Sequence, residues 1–148
     1  MIDFLKSLYK PDIKPLNYAN ISSENILHNF AVLQSHQTQS ELFPVLKSNA
    51  YGHGLKEVSE ILKWTKGKYI CVDSFPEYQI VRKYSWKNIL VLWETRNENY
   101  RYYDFKKTTF CIYNLETLKY LISLNKKITI HIFINTWMNR EGLQENDL

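Results

Sequence analysis

Short apolar runs alternate with longer stretches of helical spacing along most of the chain. Runs rich in β-branched and aromatic residues are predicted to form strands at 17–21, 69–72, 89–92, 108–112 and 128–134, and residues 42–46 form a further compact apolar run. Between these runs, apolar residues recur with the spacing of helices that bury one face. The predicted buried faces are Ile26, Leu27, Phe30 and Leu33; Val58, Ile61 and Leu62 in a helix over 55–64; and Leu115, Leu118, Leu121 and Ile122. This rhythm predicts successive βα units.

Polar residues that can cap helices precede three of the helical stretches. They are Ser22 or Ser23, then Ser74, then Asn114. Their side-chain oxygens can accept hydrogen bonds from the unpaired N–H groups of a first helical turn. Glu77 follows Ser74 at the spacing of a capping box, with a proline in the first turn. The sequence therefore predicts where these helices begin.

The fold class follows from strands that are apolar throughout and separated by helices. Such strands are typical of a parallel sheet covered by helices, and a barrel and an open doubly wound sheet both satisfy the pattern. The polar stretch 94–104 is predicted to be a loop or a poorly formed helix, with Tyr100, Tyr102 and Tyr103 in a surface loop or on a helix face. Because no linker divides the 148 residues, one α/β domain over 1–148 is expected.

Composition and charge argue against several classes of protein. Hydrophobic residues make up 45% of the chain and charged residues 23%, as in globular rather than disordered proteins. The net charge of +4 is scattered, without the basic stripe of a nucleic-acid-binding surface. Neither a membrane-spanning stretch nor a metal-ligand spacing is present in the sequence. Cys71 and Cys111 lie in apolar runs and are expected to be buried free thiols, which suits the reducing cytoplasm.

The residues with the most chemical potential lie at 44–54 (PVLKSNAYGHG). Lys47 follows an apolar run, and reactive groups of parallel α/β folds collect at the carboxyl ends of strands. Apolar surroundings disfavour the charged form of a lysine, which would leave a neutral amine for Schiff-base formation. Gly52 and Gly54 would let the backbone turn sharply or approach a ligand closely. The alternative from these residues alone is a surface lysine that extends its ammonium group into solvent.

The letters around Lys47 resemble a known family. Residues 45–54 are similar to the pyridoxal-phosphate attachment motif of alanine racemases, V-x-K-A-N-A-Y-G-H-G. Residues 26–30 are similar to the family's first barrel helix, 70–77 to its G-V-A-S-x-x-E pattern, 89–92 to its I-L-V-L strand, and 131–142 to H-x-K-x-D-T-G-M-x-R-x-G. These five segments occur in the family's order, and the chain is identified as a member of the alanine racemase family with part of its N-terminal TIM-type barrel.

The resemblance implies a cofactor, a reaction and roles for individual residues. The cofactor is pyridoxal 5′-phosphate, and the reaction is interconversion of L- and D-alanine, which supplies D-alanine for the cell wall. Lys47 would hold the cofactor as a Schiff base and move the α-proton on one face, while a tyrosine of the family's C-terminal domain serves the other. Tyr51 would bind the phosphate. Arg140 would lie near the cofactor's phenolic oxygen and the substrate carboxylate.

Three residues depart from the family's pattern in the segment before Arg140. Phe133 replaces a lysine that is carbamylated in some members, Asn135 replaces an aspartate, and Trp137 replaces a glycine. The tryptophan is the most consequential departure, because a side chain there would crowd the site. His53 belongs to the attachment motif but is expected to have a structural role at the turn rather than to transfer protons.

The number of predicted strands leaves the activity of this chain open. The family's barrel has eight βα units, and this sequence supplies five or six strands, so a barrel incomplete on its C-terminal side is expected. The first hypothesis is a cytoplasmic racemase fragment. The second is a catalytically inactive truncated or split-gene product that at most binds the cofactor. The third is a small barrel that binds the cofactor without turnover or acts as a decarboxylase. A homodimer and a separately encoded C-terminal part are the assemblies left open.

Overall fold

Four parallel strands and the helices between them make up most of the structure. The computed structural model describes residue 14 and residues 16–136, 139–144 and 146. In chain order the elements are α1 (Ser23–His36), a short turn of helix (Lys47–Tyr51), α2 (Leu55–Leu62), β1 (Tyr69–Val72), α3 (Phe75–Tyr84), β2 (Asn88–Val91), a 3₁₀ helix (Asn97–Tyr102), β3 (Thr108–Ile112), α4 (Leu115–Ser123) and β4 (Thr129–Ile132). The predicted βα rhythm is therefore present.

The strands form one sheet in the order β1-β2-β3-β4, and all neighbouring pairs are parallel. The apolar run at 42–46 extends this sheet beyond β1 by a single bridge between Val45 and Cys71. Leu46 N–H donates to Cys71 O at 2.8 Å, and Cys71 N–H donates to Pro44 O at 2.8 Å. Pro44 itself has no N–H to donate, which helps to keep this ladder short. Lys47 thus begins where the run ends, at the carboxyl end of the strands.

The two faces of the sheet bury different sets of residues. The helix-covered face carries the main core, and its strand residues are at most 1% exposed: Ile70, Val72, Ile89, Val91, Phe110 and Ile112. The inner face carries a smaller cluster of Cys71, Leu90 and Cys111. Here the ring of Phe43 stacks on Tyr69 at 4.5 Å and lies 6.3 Å from the ring of His131 in β4. The sheet therefore curls so that its first and last strands approach each other across the inner face, as in part of a barrel.

The predicted capping residues begin three helices. Ser22 Oγ accepts from Asn25 N–H at 3.2 Å, Ser74 Oγ from the N–H of Glu77 at 3.5 Å, and Asn114 Oδ1 from the N–H of the residue three positions on at 2.8 Å. Each hydrogen bond satisfies an N–H group that has no partner within the helix. Local polar spacing was sufficient to predict these starts.

The prediction of a strand at 17–21 is wrong. These residues have no regular secondary structure and are mostly exposed. A strand is stable only when its backbone groups are paired, and the described part of the chain offers this segment no neighbouring strand. In α1, Phe30 is buried as predicted, whereas Leu27 and Leu33 are 38% and 58% exposed.

Of the two predictions for the tyrosines near residue 100, the surface loop is wrong, and the structure has a 3₁₀ helix with two of the three rings buried. Tyr100 and Tyr103 are 1% and 5% exposed, and only Tyr102 of the three is exposed. The rings of Tyr100 and Tyr103 pack edge-on against Phe110 of β3, with centroids 5.1 and 5.2 Å away. The 3₁₀ helix turns these rings inward, so a stretch that is polar in sequence contributes to the core. Within the described residues, no helix has the length and apolar character needed to cross a membrane.

Candidate active site at the carboxyl ends of the strands

The segment after Lys47 turns in a left-handed direction. Ser48, Asn49, Ala50 and Tyr51 have φ values of 52°, 56°, 54° and 53°; these four residues are called the left-handed turn below. A left-handed conformation costs roughly 1–2 kcal/mol for each residue that is not glycine. Gly52 continues the turn at φ 87° without that cost. Backbone strain of this kind is concentrated at functional sites, where the surrounding structure must hold it in place.

Hydrogen bonds from the following residues hold the left-handed turn. Asn49 Oδ1 accepts from Leu55 N–H at 2.8 Å, and Asn49 O accepts from Gly54 N–H at 3.0 Å. Ala50 O accepts from the backbone N–H of His53 at 3.0 Å and lies 2.9 Å from the Nδ1 atom of that imidazole. The His53 ring thus bonds to the turn itself, in agreement with the structural role expected for it.

Lys47 forms an ion pair with Asp73, a residue the sequence had not singled out. Lys47 Nζ lies 3.3 Å from Asp73 Oδ2, and the two side chains are 36% and 27% exposed. The apolar surroundings expected for Lys47 are therefore replaced by a contact with a carboxylate. A signal for Asp73 was present, because it directly follows the apolar strand β1 and so lies at the same end of the sheet as Lys47.

Glu77 links the backbone after Lys47 to the end of β1. Its Oε1 atom accepts from Ser48 N–H at 2.7 Å and its Oε2 atom from Asp73 N–H at 2.9 Å. In a capping box the carboxylate would bond to the N–H of Ser74. The carboxylate instead bonds to the neighbouring Asp73 and reaches across to the left-handed turn, so it fixes Lys47 relative to the sheet.

Polar groups also follow β2 and β3 at this end of the sheet. The hydroxyl of Tyr113 donates to Leu92 O. Glu94 accepts from Tyr113 N–H at 3.1 Å and, through both oxygens, from Asn114 Nδ2 at 2.9 and 2.7 Å. These bonds join the two strand ends and orient the capping residue of α4.

The charged groups of the candidate site surround Tyr113. Burial raises the pKa of Tyr113, and the nearby Cys111, Glu141 and Asp73 raise it further, while Arg140 lowers it. Tyr113 stays protonated and can donate a hydrogen bond.

Arg140 is less enclosed than its predicted role implies. Its side chain is 61% exposed, and its Nε atom lies 3.5 Å from Glu141 Oε2. The two residues line a cavity of about 230 Å³ with Phe133, Asn135 and the residues next to them in sequence. Arg140 is therefore already paired with a carboxylate, as Lys47 is.

The departures predicted before Arg140 can be placed in part. Phe133 packs against Tyr113 with ring centroids 4.9 Å apart, so an aromatic contact occupies the position of the family's lysine. Asn135 Oδ1 accepts from Asn139 N–H at 3.0 Å. Gly142 has φ 113°, and a Cβ atom there would lie 2.8 Å from Phe133 O, which explains the glycine. Trp137 lies outside the described residues.

Tyr51 ends the left-handed turn and is 60% exposed. The structure thus brings Lys47 into contact with Asp73 and places Tyr51 at the rim of the same end of the sheet. Arg140 lies beyond the last strand, on the side that Tyr113 faces. Among the described residues, no group of three or more His, Cys, Asp or Glu side chains could hold a metal ion.

Comparison with known proteins identifies the family. The family described as alanine racemase, N-terminal domain, matches residues 21–148. The chain belongs to this family. The catabolic alanine racemase of Salmonella typhimurium is 28% identical to this chain over 130 residues. The matched region covers 85% of this chain and 36% of the Salmonella protein.

Solved structures of alanine racemases share the fold. The Corynebacterium glutamicum enzyme matches with a TM-score of 0.78 at 23% identity, over 86% of this chain and 38% of that one. The Bartonella henselae enzyme, which carries covalently bound pyridoxal phosphate, matches with a TM-score of 0.76 at 22% identity, over 86% and 39%. The fold is that of part of the N-terminal TIM-barrel domain of alanine racemases, with four parallel strands. This chain spans little more than a third of the length of the relatives it matches.

Proposed function

We propose that the chain carries the cofactor-binding lysine of a pyridoxal-phosphate-dependent racemase that, as a complete enzyme, interconverts L- and D-alanine. The observation that supports this most directly is the setting of Lys47. It follows the run that joins the sheet, its own backbone leads into a strained left-handed turn, and Glu77 ties that turn to β1. Family membership supports the reaction class.

The side chains of the candidate site suit a ligand that is an aldehyde and carries negative charge. Lys47 supplies an amine, Tyr51 a phenol that is open to ligand, and Arg140 a guanidinium that can bind a carboxylate or a phenolate. In this proposal, Lys47 holds the aldehyde carbon, Tyr51 the phosphate, and Arg140 the phenolic oxygen and the substrate carboxylate. When bound, pyridoxal phosphate supplies an electron sink for the negative charge that develops at the substrate's α-carbon.

The residues of this chain would then position and move a proton. Lys47 takes the α-proton from one face of the substrate in one direction of the reaction and, in the reverse direction, delivers a proton to that face. Glu77 positions the backbone after Lys47 by accepting a hydrogen bond from Ser48 N–H. We assign the proton transfer on the opposite face to the C-terminal part of the longer relatives. The proposal also includes a homodimer or a separately encoded C-terminal part as the partner of this chain. It further includes a single partial barrel domain over 1–148, a cytoplasmic location and a supply of D-alanine to the cell wall.

A second candidate is a catalytically inactive chain that at most binds the cofactor. The observation in its favour is that both cations of the site are already paired, Lys47 with Asp73 at 3.3 Å and Arg140 with Glu141 at 3.5 Å. These carboxylates compete with an anionic ligand for the two cations.

Cofactor titration separates these proposals from a purely structural lysine. Pyridoxal phosphate is added to the 148-residue chain, to Lys47→Ala and to Lys47→Arg, and the visible absorbance of lysine-bound cofactor is recorded. We expect a saturable band for the wild type and none for either variant, since arginine keeps the charge without the nucleophilic amine. Equal bands in all three would overturn both proposals. Exchange of the α-hydrogen of alanine with deuterium from the solvent, measured on the loaded wild type and on Lys47→Arg, then distinguishes them, because only the first proposal has Lys47 move the α-proton on one face.

A further inference from the structure

The carboxylate of Asp73 is held in a fixed position. Asp73 directly follows Val72, the fully buried last residue of β1, and its N–H donates to Glu77 Oε2 at 2.9 Å. Ser74 then caps α3. The backbone on both sides of Asp73 is therefore held, and its side chain starts from a fixed position at the end of β1.

Lys47 is the only cation within ion-pair distance of Asp73 among the described residues. Lys47 Nζ lies 3.3 Å from Asp73 Oδ2. The other carboxylate oxygen of Asp73, Oδ1, is buried and has no hydrogen-bond partner among the described residues. Glu77 is also near, but both of its oxygens are engaged by backbone N–H groups. Asp73 is thus the acid whose charge acts most directly on the lysine.

This contact bears on the reactivity of the lysine. An amine attacks an aldehyde only after it has lost its ammonium proton, and a carboxylate in contact stabilises the ammonium form.

We propose that Asp73 restrains Lys47 as a nucleophile: the contact between Lys47 Nζ and Asp73 Oδ2 must open before the amine can react. The identity of the aldehyde that reacts with Lys47 rests on the proposed function. The restraint of Lys47 by Asp73 does not depend on it. Asp73 acts through Lys47 and is a positioning residue. Its removal is expected to make Lys47 more reactive toward any small electrophile.

The test measures the reactivity of Lys47 directly, without cofactor. The full chain and the variants Asp73→Asn and Asp73→Ala are treated with a low concentration of an acetylating reagent, and peptide mass spectrometry follows each lysine over time. Exposed Lys56 and Lys83 serve as internal references. Lys87 is 6% exposed and donates to Thr65 O, so its protection reports that each variant is folded.

We expect acetylation of Lys47 to rise roughly two- to fivefold in both variants relative to the references, the range for a partly exposed ion pair. Glu116→Gln, on the first turn of α4, removes the same charge at a distance and is expected to leave Lys47 unchanged. An unchanged or slower rate in folded Asp73 variants would overturn the proposal, and a slower rate would mean that Asp73 assists deprotonation. Cofactor titration of the same proteins separates the two inferences: faster acetylation without cofactor attachment supports the restraint and contradicts the proposed function.

Discussion

At the scale of single residues, the candidate site combines a motif that is contiguous in sequence with partners that are not. Lys47 and Tyr51 could be predicted as candidate site residues because both lie within one short sequence motif. Asp73 could not be assigned as the partner of Lys47, because their contact depends on how the first strands align. Glu77 was predicted as a capping residue, yet its carboxylate bonds to Ser48, 29 residues away. Sequence spacing specifies local hydrogen bonds, whereas the bond across the sheet edge requires the folded chain.

The bond from Glu77 to the left-handed turn gives the first prediction. In Glu77→Gln one carboxylate oxygen becomes an amide that cannot accept from N–H, so either Ser48 or Asp73 loses its acceptor. We expect the free energy of unfolding in urea to fall by about 1–3 kcal/mol and cofactor attachment at Lys47 to weaken. Glu98→Gln, on the exposed side of the 3₁₀ helix, is the matched control. Equal stability of the two variants would refute the role given to Glu77.

The buried thiols give a prediction about pH. Burial raises the pKa of Cys71 to about 12, with a further contribution from Cys111, and burial raises the pKa of Cys111 to about 11, both from the ordinary 9.0. A group with a raised pKa stabilises the fold fully below its unfolded value, and the contribution is lost as pH rises towards the folded value. The free energy of unfolding is therefore expected to fall above about pH 9, by up to about 1.4 kcal/mol per pH unit for each thiol.

Replacement of both thiols checks this dependence. Urea unfolding of Cys71→Ala/Cys111→Ala, followed over the same pH range, is expected to show a shallower decline than the wild type. The wild-type thiols are also expected to resist Ellman's reagent until the chain unfolds. Rapid labelling of the folded protein would show that the inner face of the sheet is open to solvent.

At the scale of elements, the sequence predicted helices and central strands better than edges. The starts of α1, α3 and α4 followed from capping residues, and β1, β2 and β3 from apolar runs, because these signals act within a few residues. The segment at 17–21 is more polar than these runs, and it has no neighbouring strand among the described residues. The wrong prediction at 17–21 shows that local sequence gives only a preference for a strand, and that a strand forms only where it can pair with a neighbour.

The start of α4 is the element whose stability can be tested most cleanly. Asn114 Oδ1 caps the helix at 2.8 Å while its amide donates to Glu94. Asn114→Ala is expected to lower the free energy of unfolding by about 1 kcal/mol, and Asn114→Ser to recover most of the loss because serine also caps. Urea unfolding of the three proteins measures the differences. A serine variant as unstable as the alanine variant would show that the contact with Glu94 dominates over capping.

At the scale of the whole molecule, apolar spacing predicted the parallel arrangement, whereas the incomplete barrel was predicted only through the resemblance to the alanine racemase family. Every βα unit has its own local signal, but closure depends on how strongly the sheet curls and on what pairs with its edges. The inner-face contact of Phe43 with His131 shows the curl, at 6.3 Å between rings. No pattern of apolar spacing near either residue could have specified it, because the two lie on opposite edges of the sheet.

The last strand and the residues that follow it expose apolar side chains. Strands β1 to β3 are almost fully buried, whereas Ile132, Phe133 and Ile134 are 46%, 41% and 43% exposed. Exposed apolar strand edges pair with other chains unless they carry charge. The 148-residue chain is expected to self-associate in sedimentation experiments, and Ile132→Lys to shift it towards the monomer. A wild type that stays monomeric at all concentrations would contradict this.

The central claim is that the amine of Lys47 forms the covalent bond to the cofactor, and reductive trapping tests it most directly. The folded chain is incubated with pyridoxal phosphate, treated with borohydride, digested and analysed by peptide mass spectrometry. We expect the mass of the cofactor on the peptide that contains Lys47, in preference to peptides with exposed lysines. In Lys47→Arg we expect this added mass to be absent. Attachment spread over surface lysines, or absent from a sample shown to be folded, would contradict the account.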